Sequence, residues 1–527
     1  MIIVRGRFYN NDGEQRIALE LPDGSVRDYH LASNCEKNEL YKSIYRGERI
    51  SISNSLYINF SISDYKQLYK IDPHDLIQID IDSIYDCCFA SEGTTAFDLS
   101  YCIVIATDKE AGLMLDECLF LNGEVDLSYS VFDESDFSMK ECMFYNSSVN
   151  FSFSRFLSRN FYFNEINAYN TACDAFFRGT VFENAEDIDF SHCKNICGTF
   201  EYYRVNFGSS TADFTYLECP NTDFVFFEIE SSMQPLSFTD SIVNKVVFYK
   251  TNVNGLLDLR IGRANFITMQ ECIIRDAILL GNKGYRNFTS YCFKDSSILG
   301  RVQIMNPISS RLFKSQLQVD CSSESEEMTL VKTSFSDKAV QMMVLSQNYL
   351  NIGDSKSADK TYVLNKRYLS LGRMQDLYID IKSIKHTYPG RKKIIIRIAN
   401  YIIYSTRLVT ALVAAFFEFT VLDILCGEYA TKPGKFFGWM LMIIMGFACS
   451  FFFLADHGNL IMSTNQIVTH SSFLAAALLS VRVFFQTEAV SASTFSGTVN
   501  LLMLIEQIIG IIVLALFAVS YTRKVIK

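Results

Sequence analysis

Histidine is scarce in this chain. Six occur in 527 residues, His30, His74, His192, His386, His457 and His470, far apart and none in a metal-binding pair. No Gly-rich phosphate loop or nucleophile motif is present, and GNKGYRN at 281–287 lacks the Lys-Ser/Thr ending of a P-loop. These absences make an enzyme the least favoured class and call for no cofactor. The 15 cysteines are odd in number and scattered from Cys35 to Cys449. Cys193 and Cys197 have no matching second pair, so no metal site follows from them. Most read as free, buried, small hydrophobes, which implies a reducing compartment. The opening MIIVRGRFYN has no long apolar h-region, so the soluble part is expected in the cytoplasm.

Charge is unevenly spread. Residues 391–527 hold 11 Lys and Arg against 6 Asp and Glu, whereas 1–390 hold 37 against 52. An acidic body on a basic, apolar tail suits membrane attachment and argues against general nucleic-acid binding.

Residues 1–90 read as a β-rich cap. RIALELPDGSVRDYHL alternates on both sides of a Pro-Asp-Gly turn, a hairpin signal, and SLYINFSIS is a second alternating run. From about 91 to 320 a different pattern repeats: a Phe or Leu follows an Asp or Asn. Examples are Asp98-Leu99, Asp126-Leu127, Asn150-Phe151, Asp189-Phe190, Asp213-Phe214 and Asp258-Leu259. Apolar residues also recur every five, as in Leu127, Phe132, Phe137, Cys142 and in Phe151, Phe156, Phe161, Ile166. Five fits neither helix nor flat strand. It fits a four-sided solenoid whose sides each point one large group inward, and in which no coil is stable alone. An ordinary aromatic-rich β-sandwich is the competing reading, and the sustained period speaks against it.

This stretch resembles the pentapeptide-repeat family, with Ala264-Asn265-Phe266 the closest copy of its unit. The resemblance implies a right-handed quadrilateral β-helix. Roughly 20 residues per coil and about 4.8 Å between strands predict a body on the order of 50 Å long.

Residues 321–390 read as a polar helical hairpin. Gly353 stops the first helix, and Ser355 or Ser357 caps the second. Then come the apolar runs. Residues 436–454 carry no charge and 501–521 only Glu506, so both are long enough to span. Residues 398–426 are long enough too but contain Arg407, Glu418 and Asp423. Basic residues at 391–397, 432–435 and the C-terminus all belong inside by the positive-inside rule. That places 391–430 along the inner interface as an amphipathic helix, with a full span as the competing reading. The run SSFLAAALLSVRVFF at 471–485 is short and reads as re-entrant, facing a cavity.

Several pieces in order carry a second resemblance: the Gly353-Asp354 turn, Gly427, Tyr429 and Pro433, then Glu506 and Gly510. Together they resemble bacterial pentapeptide-repeat proteins with a C-terminal two-transmembrane, potassium-channel-like pore, here 431–527. That resemblance implies a homotetramer in the bacterial inner membrane, with the N-terminal domain and C-terminus cytoplasmic. The filter would fall at Gln486, Thr487, Glu488, Ala489, Val490 and Ser491. QTEAVS has no glycine, so carbonyls cannot readily line up for potassium. Glu488 could instead supply a ring of four carboxylates that selects cations; an exposed-loop role is the competing reading. Arg482 would pair with Glu488 or Glu506, or snorkel to the outer headgroups. Glu506 would support the pore helix, and Gly510 would be a gating hinge or a close-packing site. His470 and Asp456 read as outer-loop residues.

Two functions remain. One is a cation channel gated by a cytoplasmic protein or ligand on the solenoid, conducting monovalent or divalent cations. The other is a membrane-anchored scaffold with a non-conducting pore-like anchor.

Overall fold

Asp126 shows why the five-residue unit folds as it does. Its carboxylate accepts a hydrogen bond at 3.0 Å from the backbone N–H of Ser128. The next residue, Tyr129, turns left-handed at φ 56°. Leu127 points inward and is buried. Asp98, Asp189 and Asp213 repeat the arrangement, accepting from Ser100, Ser191 and Thr215 at 2.8, 2.7 and 2.9 Å. Tyr101, His192 and Tyr216 follow at φ 53°, 59° and 55°. Asn150 does the same through its amide oxygen, at 3.0 Å from Ser152. The Asp or Asn of each unit therefore closes a corner by an Asx turn, and the Phe or Leu after it fills the core.

The structure, a computed structural model, describes residues 5–11, 13–22, 24–105, 113–133, 136–169, 173–230, 234–281, 290–305, 315–320, 327–387, 394–425, 433–456, 473–486 and 497–526. Two compact units divide it, Met1–Thr333 and Ser334–Lys527.

In the first unit, successive strands stack into long ladders. One coil runs Met143–Tyr145, Val149–Asn150, Arg155–Phe156, Asn160–Tyr162. Each of these strands joins a different sheet, of seven, ten, six and nine strands respectively. The pairing between coils is parallel and in register, as in Phe137 with Phe161 and Phe132 with Phe156. The result is a β-solenoid of about 10 turns, ~48 Å long at the usual strand spacing. Partners on adjacent coils lie 24 residues apart at Ser130 and Ser154 and at Asp136 and Asn160, more than four five-residue sides require. Left-handed residues at the corners use the extra length: Glu141 just before this coil and Asn146 and Phe153 within it, at φ 57°, 51° and 61°.

Aromatic ladders fill the interior. Phe132, Phe156 and Phe182 stack at 4.7 and 5.1 Å. Phe151, Phe177, Tyr202, Phe226 and Phe248 form a second column at 4.7–4.9 Å. The residues spaced by five, Leu127 to Cys142 and Phe151 to Ile166, are all buried. Small polar side chains tie one coil to the next. Ser130, Ser154 and Thr180 donate to the carbonyls of Leu99, Leu127 and Phe151 at 2.6, 2.6 and 2.8 Å. The Cys142 thiol does the same toward Leu115. Cysteine thus stands in for serine on the inner wall. The described cysteines are free, and all but Cys35, Cys197 and Cys449 are buried. Burial pushes the Cys87 thiol up to about 11, which keeps it unreactive.

The N-terminal hairpin pairs Glu14–Glu20 with Val26–Leu31 antiparallel, and Leu31 then pairs in parallel with Leu56. Parallel stacking begins at Ile50–Ser53 and Ser55–Ile58. SLYINFSIS supplies two short strands and then enters a helix at Ile62, because Ser61 accepts from the N–H groups of Ser63 and Asp64. Two helices lie in this region, α1 (Asn34–Tyr45) and α2 (Ile62–Tyr69). The unit ends in an antiparallel pair, Ser315–Asp320 with Glu327–Lys332, where a helical linker was expected to have begun.

The second unit is helical. α3 (Phe335–Asn351) starts where Ser334 accepts from the Asp337 N–H at 3.0 Å. It stops at Gly353, φ 79°. α4 (Ser355–Thr387) is capped by the Asp354 carboxylate, which accepts from Ser357 at 3.1 Å. The cap is thus Asp354, not Ser355 or Ser357. α5 (Ile394–Phe417) widens into a π-turn segment at Glu418–Leu425. α6 (Pro433–Asp456), α7 (Phe473–Phe484) and α8 (Gly497–Ile526) complete the unit. Among the described residues, three stretches are long and apolar enough to cross a membrane: Ile398–Thr420, Phe437–Leu454 and Thr498–Ala518.

Candidate functional site

The site is built where α7 meets α6 and α8. α7 has 12 residues, about 18 Å of helix, against 24 and 30 in its neighbours. Its first residue, Phe473, packs edge-on to Phe452 near the end of α6. Further along, Ala476, Leu479 and Val483 cluster with Phe451, Val499 and Met503. Its last residue, Phe484, packs with Met440 and Ile444 of α6 and with Val513 and Leu514 of α8. Those partners lie at or beyond the middle of the apolar stretches Phe437–Leu454 and Thr498–Ala518, toward the ends away from Phe452 and Val499. The short helix therefore starts at one end of the long pair, passes its middle at Ser480 and stops within its length.

Two contacts hold it there. The Ser480 hydroxyl lies 2.9 Å from the Ile444 carbonyl and also bonds the Glu506 carboxylate, so one side chain ties all three helices. Ser480 and Glu506 are both fully buried. The other Glu506 oxygen, Oε2, has no hydrogen-bond partner among the described residues. Gly510 lies against the end of α7: a Cβ added there would meet the Phe484 carbonyl oxygen at 2.5 Å. Close approach of backbones is what this glycine allows.

Of the residues expected to form a pore, Glu506, Gly510, Arg482 and Gln486 are described. Gln486 ends α7 in the left-handed conformation, φ 57°, with its N–H bonded to the Val483 carbonyl at 3.1 Å, an αL helix stop. Arg482 is exposed on α7, and Glu506 is buried against Ser480. Thr487, Glu488, Ala489, Val490 and Ser491 lie outside the described residues, as do His457 and His470.

Sequence reasoning passed over Ser480, although it opens the SVRVFF run. A lone hydroxyl in an apolar half-helix, with one carboxylate in the following apolar helix, was the available signal. It also passed over the partners of Glu418 and Asp423. Asp423 is buried and held by Arg367 at 2.7 and 2.9 Å, and Glu418 bonds Ser370 and Arg373.

Comparison of the chain with models of protein families, with curated proteins and with solved structures gives no match. Its fold, a β-solenoid followed by apolar helices, is compatible with a membrane-anchored protein.

Proposed function

We propose that the protein is a membrane ion channel subunit: a cation-conducting homotetramer whose pore is formed by α6, the short α7, residues 487–496 and α8. In this reading the solenoid is a right-handed quadrilateral pentapeptide-repeat body in the bacterial cytoplasm, and α6 and α8 cross the inner membrane. One observation carries the reading. A 12-residue apolar helix stops within the length of two membrane-length helices, short of their far ends, fixed by the buried Ser480–Glu506 bond and the Gly510 contact. A buried carboxylate between apolar helices is expensive and marks a functional site. A backbone that stops within the membrane's depth must return through protein or a water-lined cavity.

Glu488 follows Gln486 by two residues, so four copies would place a carboxylate ring beside the pore axis and favour cations over anions. Gly510 would serve as a hinge as well as a contact. The trigger is a protein or small ligand bound to the solenoid with different affinity for the open and closed states; nucleic acid is not a partner in this reading. Reconstitution into liposomes with flux measurement is the test. Cation flux above background, with selectivity over anions reduced in Glu488→Gln, is the expected result. Flux unaltered by that substitution would remove the selective ring.

A second reading rests on QTEAVS, which holds no glycine. An anchored scaffold with a non-conducting pore-like anchor would use the solenoid for binding alone. A monomer in detergent and no flux would favour it.

A further inference from the structure

α5 is apolar yet, among the described residues, has no partner on most of its circumference. Ile402, Val409, Val413, Phe416 and Phe417 are each more than half exposed. From Tyr401 on, its half-buried positions are Tyr401, Tyr404, Leu408, Ala411 and Ala415, continued by Glu418 just past its end and flanked by Asn400, a 3–4 spacing of one narrow seam. α4 carries the complementary seam at Ser370, Met374, Leu377, Ile381 and Ile384. The two helices pack against each other. Their polar contacts fix the direction as antiparallel: Arg367 holds Asp423, and Ser370 and Arg373 hold Glu418.

This pairing decides what α5 can face. Apart from Arg397 and Arg407, α5 has no charged residue, so alone it lacks the polar face of an interfacial helix. α4 supplies that face, with Arg373, Asp376, Asp380 and Lys382 exposed over the stretch beside α5. Sending α5 through a bilayer would drag those charges into hydrocarbon, where each is unfavourable.

We propose that α4 and α5 form one two-faced hairpin that docks on an anionic lipid surface, with α5 lying in the interface and α4 in water. The occupant is lipid because the exposed face is apolar, its own charges are both positive, and the next helix, α6, is of membrane length. The Arg367–Asp423 pair and the Glu418 contacts latch the end of α5 to α4 just before α6. Movement of α4 then pulls on the start of α6 without moving α5 across the bilayer. The inference rests on α6 and α8 as the two spans of the proposed function.

The test uses the full chain, with Cys35, Cys197, Cys321, Cys426 and Cys449 replaced by Ser, in sealed vesicles of phosphatidylcholine with and without phosphatidylglycerol. Ser383→Cys on α4 and Thr522→Cys at the end of α8 are each labelled with a membrane-impermeant maleimide. Both are expected on the same side; opposite sides means that α5 spans, and overturns the proposal. A fluorophore on Phe416→Cys is expected to be quenched most by shallow nitroxide lipids and more so with phosphatidylglycerol, and one on Asp380→Cys to stay unquenched. Deepest quenching at Phe416 overturns the proposal in favour of a span. No quenching overturns it in favour of a protein covering, whether a second copy or another partner. Same-side labelling with no quenching would sink this inference and leave the pore standing, whereas quenching without ion flux would do the reverse.

Discussion

The hydroxyl of Ser480 joins the Glu506 carboxylate to the Ile444 carbonyl, so residues 26 and 36 positions away share one buried contact. Removing the hydroxyl leaves a buried carboxylate with less to bond. Ser480→Ala should destabilise the protein in detergent by roughly 1–3 kcal/mol, read as a lowered denaturation midpoint. In a Glu506→Leu background the same change should cost much less, because no carboxylate remains to be stranded. Additive effects in the double-mutant cycle would show that the two side chains do not act together.

Gly510 admits the Phe484 carbonyl to within 2.5 Å of where a Cβ would stand. Because the neighbour is backbone, no side-chain rotation relieves the contact. Gly510→Ala should cost about 1–3 kcal/mol and loosen α7, measured as faster hydrogen exchange over 473–484. A variant as stable as the wild type but altered in ion flux would instead support a hinge with no packing role.

Asp126 sits at a solenoid corner where burial pushes its carboxyl above the ordinary value, with the Ser128 bonds partly opposing this. The folded state therefore binds the proton more readily than the unfolded chain. Its contribution is fully favourable below the unfolded value and is lost as pH rises through the raised folded value. Asn150 fills the equivalent place one coil on and makes the same turn bond, so Asp126→Asn keeps the corner. The stability of Asp126→Asn relative to wild type should rise as pH increases above the ordinary carboxylate value of about 4, followed by guanidinium unfolding. Asp126→Ala should lose the turn bond, about 1 kcal/mol, relative to Asp126→Asn at every pH.

Phe156 stacks between Phe132 and Phe182 and is fully buried. Phe156→Ala should cost roughly 3–5 kcal/mol. Each coil touches only its neighbours, so the damage should be local. Exchange protection should fall first in 131–132 and 181–182 and persist around 266–270. Uniform loss along the solenoid would mean that its coils unfold as a single block.

Much of this architecture is legible in the chain itself. The period of five, with Asp or Asn before each Phe or Leu, encodes a corner and a core position, because both jobs are done by residues adjacent in sequence. Length and apolarity likewise mark 436–454 and 501–521 as membrane-length helices. The coil of 24 residues was not readable, since left-handed Glu141 and Asn146 carry no glycine signal. Nor was the Asp354 cap, which competed with two serines beside it. Tertiary structure alone decided that Ser480 meets Glu506, that Gly510 faces a carbonyl, and that Arg367 claims Asp423. Those pairs are 26 to 56 residues apart, and no local propensity links them. What links them is how helices pack once their apolar faces are buried.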